Sequence, residues 1–97
     1  MDGKDRVVEF STLDVPHRIC AELLRLARKS SPGQNTAVIF PVPTHADIAN
    51  RISTHREAVT REFSNLCRAG LLERRNRSLI IRDVKKLSMI VSDMLEQ

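Results

Sequence analysis

Tryptophan and tyrosine are absent from this chain, and phenylalanine occurs only three times in 97 residues. A core built from it must be mostly Leu, Ile and Val, the usual filling of small helical domains, and the length suits one compact domain. Cysteine is scarce as well. Cys20 and Cys67 stand far apart with no Cys-x-x-Cys partner, so nothing marks a zinc or iron–sulfur site. Each lies among apolar residues at helical spacing, which predicts two buried thiols. No apolar run approaches the roughly 18–20 residues that a membrane span needs. The opening MDGKDRVVEF is charged and lacks the apolar stretch of a signal peptide, so the expected compartment is the cytoplasm, with no membrane partner. There is no Gly-rich phosphate loop and no nucleophile–base pair, and the chain is not expected to be an enzyme. His17, His45 and His55 fall on three different elements with no cysteine or carboxylate at ligand spacing, so no metal is expected.

Lysine is missing from one long stretch. Ser53 to Asp83, STHREAVTREFSNLCRAGLLERRNRSLIIRD, carries seven arginines and no lysine. With Arg51 included, residues 51–82 set eight arginines against three glutamates. That local excess of five exceeds the whole-chain charge of +4. The basic character therefore belongs to one segment, which is how an electrostatic footprint for nucleic acid reads. Arginine suits planar, bidentate recognition of guanine and phosphate better than lysine does.

Hydrophobic periodicity organises the chain from Asp14 onward. Asp14 is a candidate helix cap, with Pro16 in the first turn. Val15, Ile19, Leu23, Leu26 and Ala27 recur at spacings of three and four, which predicts a helix with Arg18, Glu22, Arg25 and Lys29 facing away. Thr36–Phe40 (TAVIF) reads as one short strand. Thr44 and Asp47 make a shortened capping box before Ile48, Ala49 and Ile52. Thr54-His55-Arg56-Glu57 is a Thr-x-x-Glu box and a second helix start, so two helices are joined by a tight turn, as in a helix-turn-helix. The second helix, 55–69, carries Val59, Phe63, Leu66 and Cys67 on one face. Steps of 100° put Glu57, Arg61, Ser64 and Arg68 on the other. Gly70 fits the position just past its end. Two short runs, Leu71–Arg74 and Ser78–Ile81, flank a hairpin turn at Asn76. Asp83 caps a last helix with Val84, Leu87, Ile90, Val91 and Leu95 as its stripe. A hairpin directly after a recognition-type helix is a wing. The expected fold is mainly α with a small antiparallel β-sheet, a winged helix-turn-helix over 14–97.

The stretch HADIANRISTHREAVTREFSNLCRAGLLERRNRSLIIRD, with Arg-Glu-x-Val-x-Arg at 56–61 shortly after Asp-Ile-Ala at 47–49, resembles the winged helix-turn-helix of the Crp/Fnr family of bacterial transcription regulators. The upstream FSTLDVPHRICAELLRLARKS is also similar to this family, so the resemblance runs from about Val7. It implies that residues 1–13 are a stub of the dimerisation helix and hinge. It implies no cofactor in this chain, since a cyclic nucleotide or other small effector would bind the family's sensor domain, which has no counterpart here. It also implies double-stranded DNA as partner, possible RNA polymerase contact, a homodimer in the full-length protein and a monomer for this chain. Arg56, Glu57 and Arg61 resemble the family's base-reading side chains, with a TGTGA-like half-site. Arg can bond guanine O6 and N7, and Glu can accept from cytosine N4. Thr44, His45, Arg51, Thr54, His55 and Thr60, with the wing residues Arg75, Asn76 and Arg77, would lie near phosphates. The sequence departs from the family at Ser53, where Gly is common, at His55, often Ser or Thr, which leaves open whether Thr54 or His55 caps the helix, and at Ala58, often Thr.

Blander readings exist for the same residues. Glu57 and Arg61 could be a surface i,i+4 ion pair worth about 0.2–0.5 kcal/mol. The wing arginines could be a solvated charge run; for Arg74 or Arg82 that reading stands level with DNA contact, because strand alternation must send some side chains away from DNA, whereas Arg75 and Arg77 flank the turn and are the better candidates. Two functional alternatives stand beside DNA reading: a protein-interaction winged helix, for example docking RNA polymerase, and nucleic-acid binding through charge alone.

Overall fold

Asp14 accepts a hydrogen bond from the His17 amide (3.2 Å) and starts helix α1, Val15–Ser30, with Pro16 in the first turn. In this computed structural model the described residues are 14–95, so the expected dimerisation-helix stub at 1–13 lies outside them. The chain continues through strand β1 (Ala37–Ile39), helix α2 (His45–Arg51), helix α3 (Arg56–Arg68), strands β2 (Leu72–Arg75) and β3 (Ser78–Ile81), and helix α4 (Val84–Leu95). The three strands form one antiparallel sheet in the order β1-β3-β2. The short strand before the helix-turn-helix thus becomes the outer partner of the wing. This is the expected winged helix-turn-helix.

The core is aliphatic. Ile19, Leu23, Ile48, Val59, Leu79, Ile81 and Leu87 are fully buried, and Phe63 is the one buried aromatic ring among the described residues. The predicted stripes of α1 to α3 turn inward except at Cys67, α4 contributes Val84, Leu87, Ile90 and Val91, and strands β2 and β3 point Leu72, Leu79 and Ile81 inward.

The helix ends follow from local chemistry. Thr44 Oγ1 accepts from the Asp47 amide (3.0 Å) and caps α2. Asp83 Oδ1 accepts from the Lys86 amide (3.0 Å) and caps α4. Asn35 braces that same end by accepting from the Lys85 amide at its side chain (2.7 Å) and from the Val84 amide at its carbonyl (2.7 Å). α2 and α3 stop in the same way. The Thr54 amide reaches back to the Ala49 carbonyl (2.9 Å) around Ser53 at φ +60°, and the Leu71 amide to the Leu66 carbonyl (3.0 Å) around Gly70 at φ +81°. Both are Schellman closures, in which one left-handed residue lets the chain turn and satisfies the last carbonyls. Ser53 adopts this conformation although it carries a Cβ.

Three expectations need correction. Glu22 does not face solvent but is 8% exposed and paired with Arg25 and Arg51. The helical wheel placed it outward because it could not register that Arg51 reaches it from α2. Cys67 is exposed rather than buried, whereas Cys20 is buried. Cys67 lies beside the Phe63–Leu66 stripe at the end of α3, where none of the described residues covers the helix edge. Burial pushes the Cys20 thiol up to about 12, so it stays protonated. Lastly, the Thr54–Glu57 capping box does not form. The N-cap of α3 is His55, which makes no side-chain cap bond.

Candidate nucleic-acid interface

Helix α3 buries Ala58, Val59, Phe63 and Leu66. Its first two turns therefore present Arg56, Glu57, Thr60 and Arg61 outward, and all four are exposed. Among the described residues neither Arg56 nor Arg61 has a carboxylate within 4.0 Å. The i,i+4 pairing of Glu57 with Arg61 is not made. Glu57 instead approaches His55 Nδ1 at 3.4 Å. A backbone hydrogen bond, aided by the charges of Arg56 and His55, holds the Glu57 carboxyl below the usual range, so it is an acceptor at neutral pH.

Behind this face lies a small polar cluster. The His45 ring packs on Phe63 with centroids 4.6 Å apart, and its Nδ1 is 2.7 Å from Thr60 Oγ1. The Thr60 hydroxyl donates in turn to the Arg56 carbonyl (3.1 Å). Partial burial, with a contribution from the Arg74 charge, lowers the His45 pKa below 6.5. His45 and Thr60 thus meet between α2 and α3, within reach of the Arg74 charge on the wing.

The wing is a two-residue hairpin. Arg75 pairs with Ser78, and Asn76 takes φ +58° in the turn. The Val42 amide donates to the Arg77 carbonyl (2.8 Å), which ties the wing tip to the segment leading into α2. Asn76 and Arg77 are exposed at that tip.

The predicted phosphate set divides. Thr44, His45, Thr54, His55 and Thr60 lie on α2, in the turn and on α3, the last four around the recognition face or its start. Arg51 stands apart. Its Nε is 3.0 Å from Glu22 on α1, and Glu22 also holds Arg25 (2.7 Å). Steps of 100° place Arg51 about 120° around α2 from His45. Arg75 is paired with Glu73, which also holds Arg82 (2.8 Å). These three lie on the outer sheet face with Val38 and Ile80.

Arg74 is the residue that sequence reasoning undervalued. It has the register partner Leu79 and sits two residues after buried Leu72, so alternation sends it to the inner face. The signal was the apolar Leu72, which fixes the phase of the strand. Among the described residues no group of three or more His, Cys, Asp or Glu could hold a metal.

A profile described as the Crp-like helix-turn-helix domain matches residues 17–90. No match is found among curated proteins. Among solved structures, reduced CprK in the absence of any ligand is 17% identical with a TM-score of 0.73, covering 90% of this chain and 42% of that one. Oxidized CprK in complex with o-chlorophenolacetic acid is 20% identical with a TM-score of 0.70, covering 91% and 38%. Identities of this size carry the fold alone, and the chain spans about two fifths of those proteins.

Proposed function

This chain belongs to the Crp-like helix-turn-helix family, the DNA-binding domains of transcription regulators, and from that premise we propose that it reads a TGTGA-like half-site of double-stranded DNA with α3 in the major groove. Arg56 and Arg61 donate to guanine O6 and N7, and Glu57 accepts from cytosine N4. One observation carries this reading: two guanidiniums without a carboxylate partner among the described residues, beside an ionised carboxylate, all exposed on the first two turns of α3. Exposed arginines left unpaired are poised for an external acceptor.

Thr44, His45, Thr54 and His55 supply phosphate contacts from the motif, with Thr60 held behind His45, and Asn76 and Arg77 add contacts from the wing. The ion pairs of Arg51 and Arg75 argue for leaving both out, with Arg74 added in their place. Phosphate contacts then give most of the affinity and make it salt-dependent, while α3 gives the sequence preference. In the whole protein a homodimer would set two α3 helices in successive major grooves, about 34 Å apart. A small effector would be bound by a sensor domain, and RNA polymerase would be a further partner. By itself this chain, as a monomer, binds weakly.

The test is fluorescence anisotropy with a TGTGA palindrome and a scrambled duplex at two salt concentrations, with Glu57→Ala alongside. Preference for the palindrome, relaxed at the cytosine position by Glu57→Ala, supports base readout. Equal and steeply salt-dependent binding to both duplexes leaves only a charge footprint. No binding to either, with capture of RNA polymerase unaffected by Arg56→Ala and Arg61→Ala, would mark a protein-interaction module.

A further inference from the structure

The Thr60 hydroxyl has a single hydrogen and two neighbours, the Arg56 carbonyl at 3.1 Å and His45 Nδ1 at 2.7 Å. A carbonyl only accepts, so that hydrogen belongs to Arg56. An oxygen lone pair then faces the imidazole, and both contacts are made together only when Nδ1 carries a hydrogen and donates it. A neutral imidazole has one N–H. With that hydrogen on Nδ1, the far nitrogen Nε2 holds a lone pair. A phosphodiester oxygen also offers only lone pairs, so neutral His45 cannot bond it. Turning the ring over would keep it against Phe63 but put Cδ2 in place of Nδ1 and so break the Thr60 contact.

We infer that His45, Thr60 and Arg74 form one phosphate-binding notch, in which His45 engages a DNA phosphate only as the imidazolium, so that DNA binding takes up a proton. The inference rests on the DNA-binding reading above and adds its protonation state. Thr60 is the positioning residue, since it dictates which nitrogen faces outward. Arg74, from the inner face of β2, is the charged group facing His45. From α3 come only the Thr60 hydroxyl and the Phe63 ring, neither of which titrates near neutrality. In the free domain, burial and the nearby Arg74 disfavour a second cation and lower the His45 pKa. A phosphate between the two cations removes that penalty and favours the imidazolium. Affinity therefore rises as pH falls through the DNA-bound pKa and levels off below the lower pKa of the free state.

The experiment uses the whole chain with a fluorescein-labelled TGTGA palindrome and a random duplex of equal length, from about pH 8 to about pH 5.5 at fixed ionic strength, the range in which histidine titrates. The His45 Cε1–H resonance, distinguished from those of His17 and His55, is titrated with and without each duplex. A rise of the His45 pKa on binding is expected, with about tenfold tighter binding at low pH for each unit of rise. His45→Gln keeps the fold and loses that part of the pH dependence. Thr60→Val frees the tautomer, so neutral His45 can donate from Nε2 and proton uptake falls while binding near pH 8 persists. A His45 pKa unmoved by bound duplex, or full pH dependence in His45→Gln, overturns the inference. A pKa rise on both duplexes with equal affinity for them keeps the notch and removes base readout. Absence of binding to either duplex at every pH overturns both.

Discussion

Two sets of arginines divide the surface of this domain. Arg25 and Arg51 share the buried Glu22 at the α1–α2 junction, and Arg75 and Arg82 share Glu73 on the outer face of the sheet. Arg56, Arg61, Arg74 and Arg77, on the recognition face and wing, have no carboxylate partner among the described residues. In sequence most of these residues form one basic run. The difference teaches that net charge locates a basic segment, whereas pairing decides which charges remain for a ligand. A guanidinium already held by a carboxylate is oriented and partly neutralised by it, so the unpaired set is the better guide to the interface.

The strongest way to break this comparison is to remove the unpaired pair on α3. Arg56→Ala with Arg61→Ala should cost about 2–6 kcal/mol of DNA affinity, since each bidentate base contact contributes about 1–3 kcal/mol. Thermal unfolding should hardly change, because both side chains are exposed and make no side-chain bond to another of the described residues. A large fall in the melting temperature would show that they are structural.

The paired set should behave in the opposite way. Glu22→Ala leaves Arg25 and Arg51 without their acceptor and should destabilise the fold by about 1–2 kcal/mol. That is less than the cost of a fully buried broken pair, because both arginines remain exposed to solvent. Denaturant unfolding measures this, and DNA affinity of the folded fraction should be unchanged. A matching loss of affinity would return Arg51 to the footprint.

The wing gives a sharper and smaller contrast between neighbours. Arg74→Ala should weaken DNA binding several-fold and reduce the slope of log affinity against log salt by about one. Arg75→Ala should do neither. Equal effects would mean that the side chains swap places on DNA. The smallest effect concerns Glu73 itself. The Arg75 hydrogen bond, with charge from Arg75 and Arg82, keeps its carboxyl below 4.5. Any stability it adds is present above the ordinary Glu pKa and fades as pH falls through the lowered one. Carboxyl NMR titration should find that pKa shifted upward in Arg75→Ala.

Much of the fold was legible because it is written in short-range rules. The stripe from Ile19 to Ala27, the caps at Asp14, Thr44 and Asp83, and the turns at Gly70 and Asn76 each depend on residues within one or two helical turns. Ser53 is instructive. Its departure from the common glycine gives no hint that it must enter the left-handed region, yet the chain reversal between α2 and α3 demands it, with φ +60°. Ser53→Gly should therefore stabilise the domain by about 1 kcal/mol in denaturant unfolding, as it relieves the Cβ strain at positive φ. The candidate site was legible only in its residue types. The helical wheel exposed Glu57 and Arg61 correctly but could not tell that Glu57 turns to His55 and not to Arg61. Arg74 was hidden because strand phase, which Leu72 sets, went unused.

The sequence by itself determined the order of elements, their caps and the aliphatic core, because hydrophobic periodicity and capping act locally along the chain. Only the tertiary structure decided the fate of individual charges. Glu22 became a buried anchor because Arg25 and Arg51 close on it, Cys67 stayed exposed at the edge of α3, and His45 met Thr60 and Phe63 from another element. Electrostatic pairing depends on distances between segments remote in the chain, and periodicity within one segment carries no information about them.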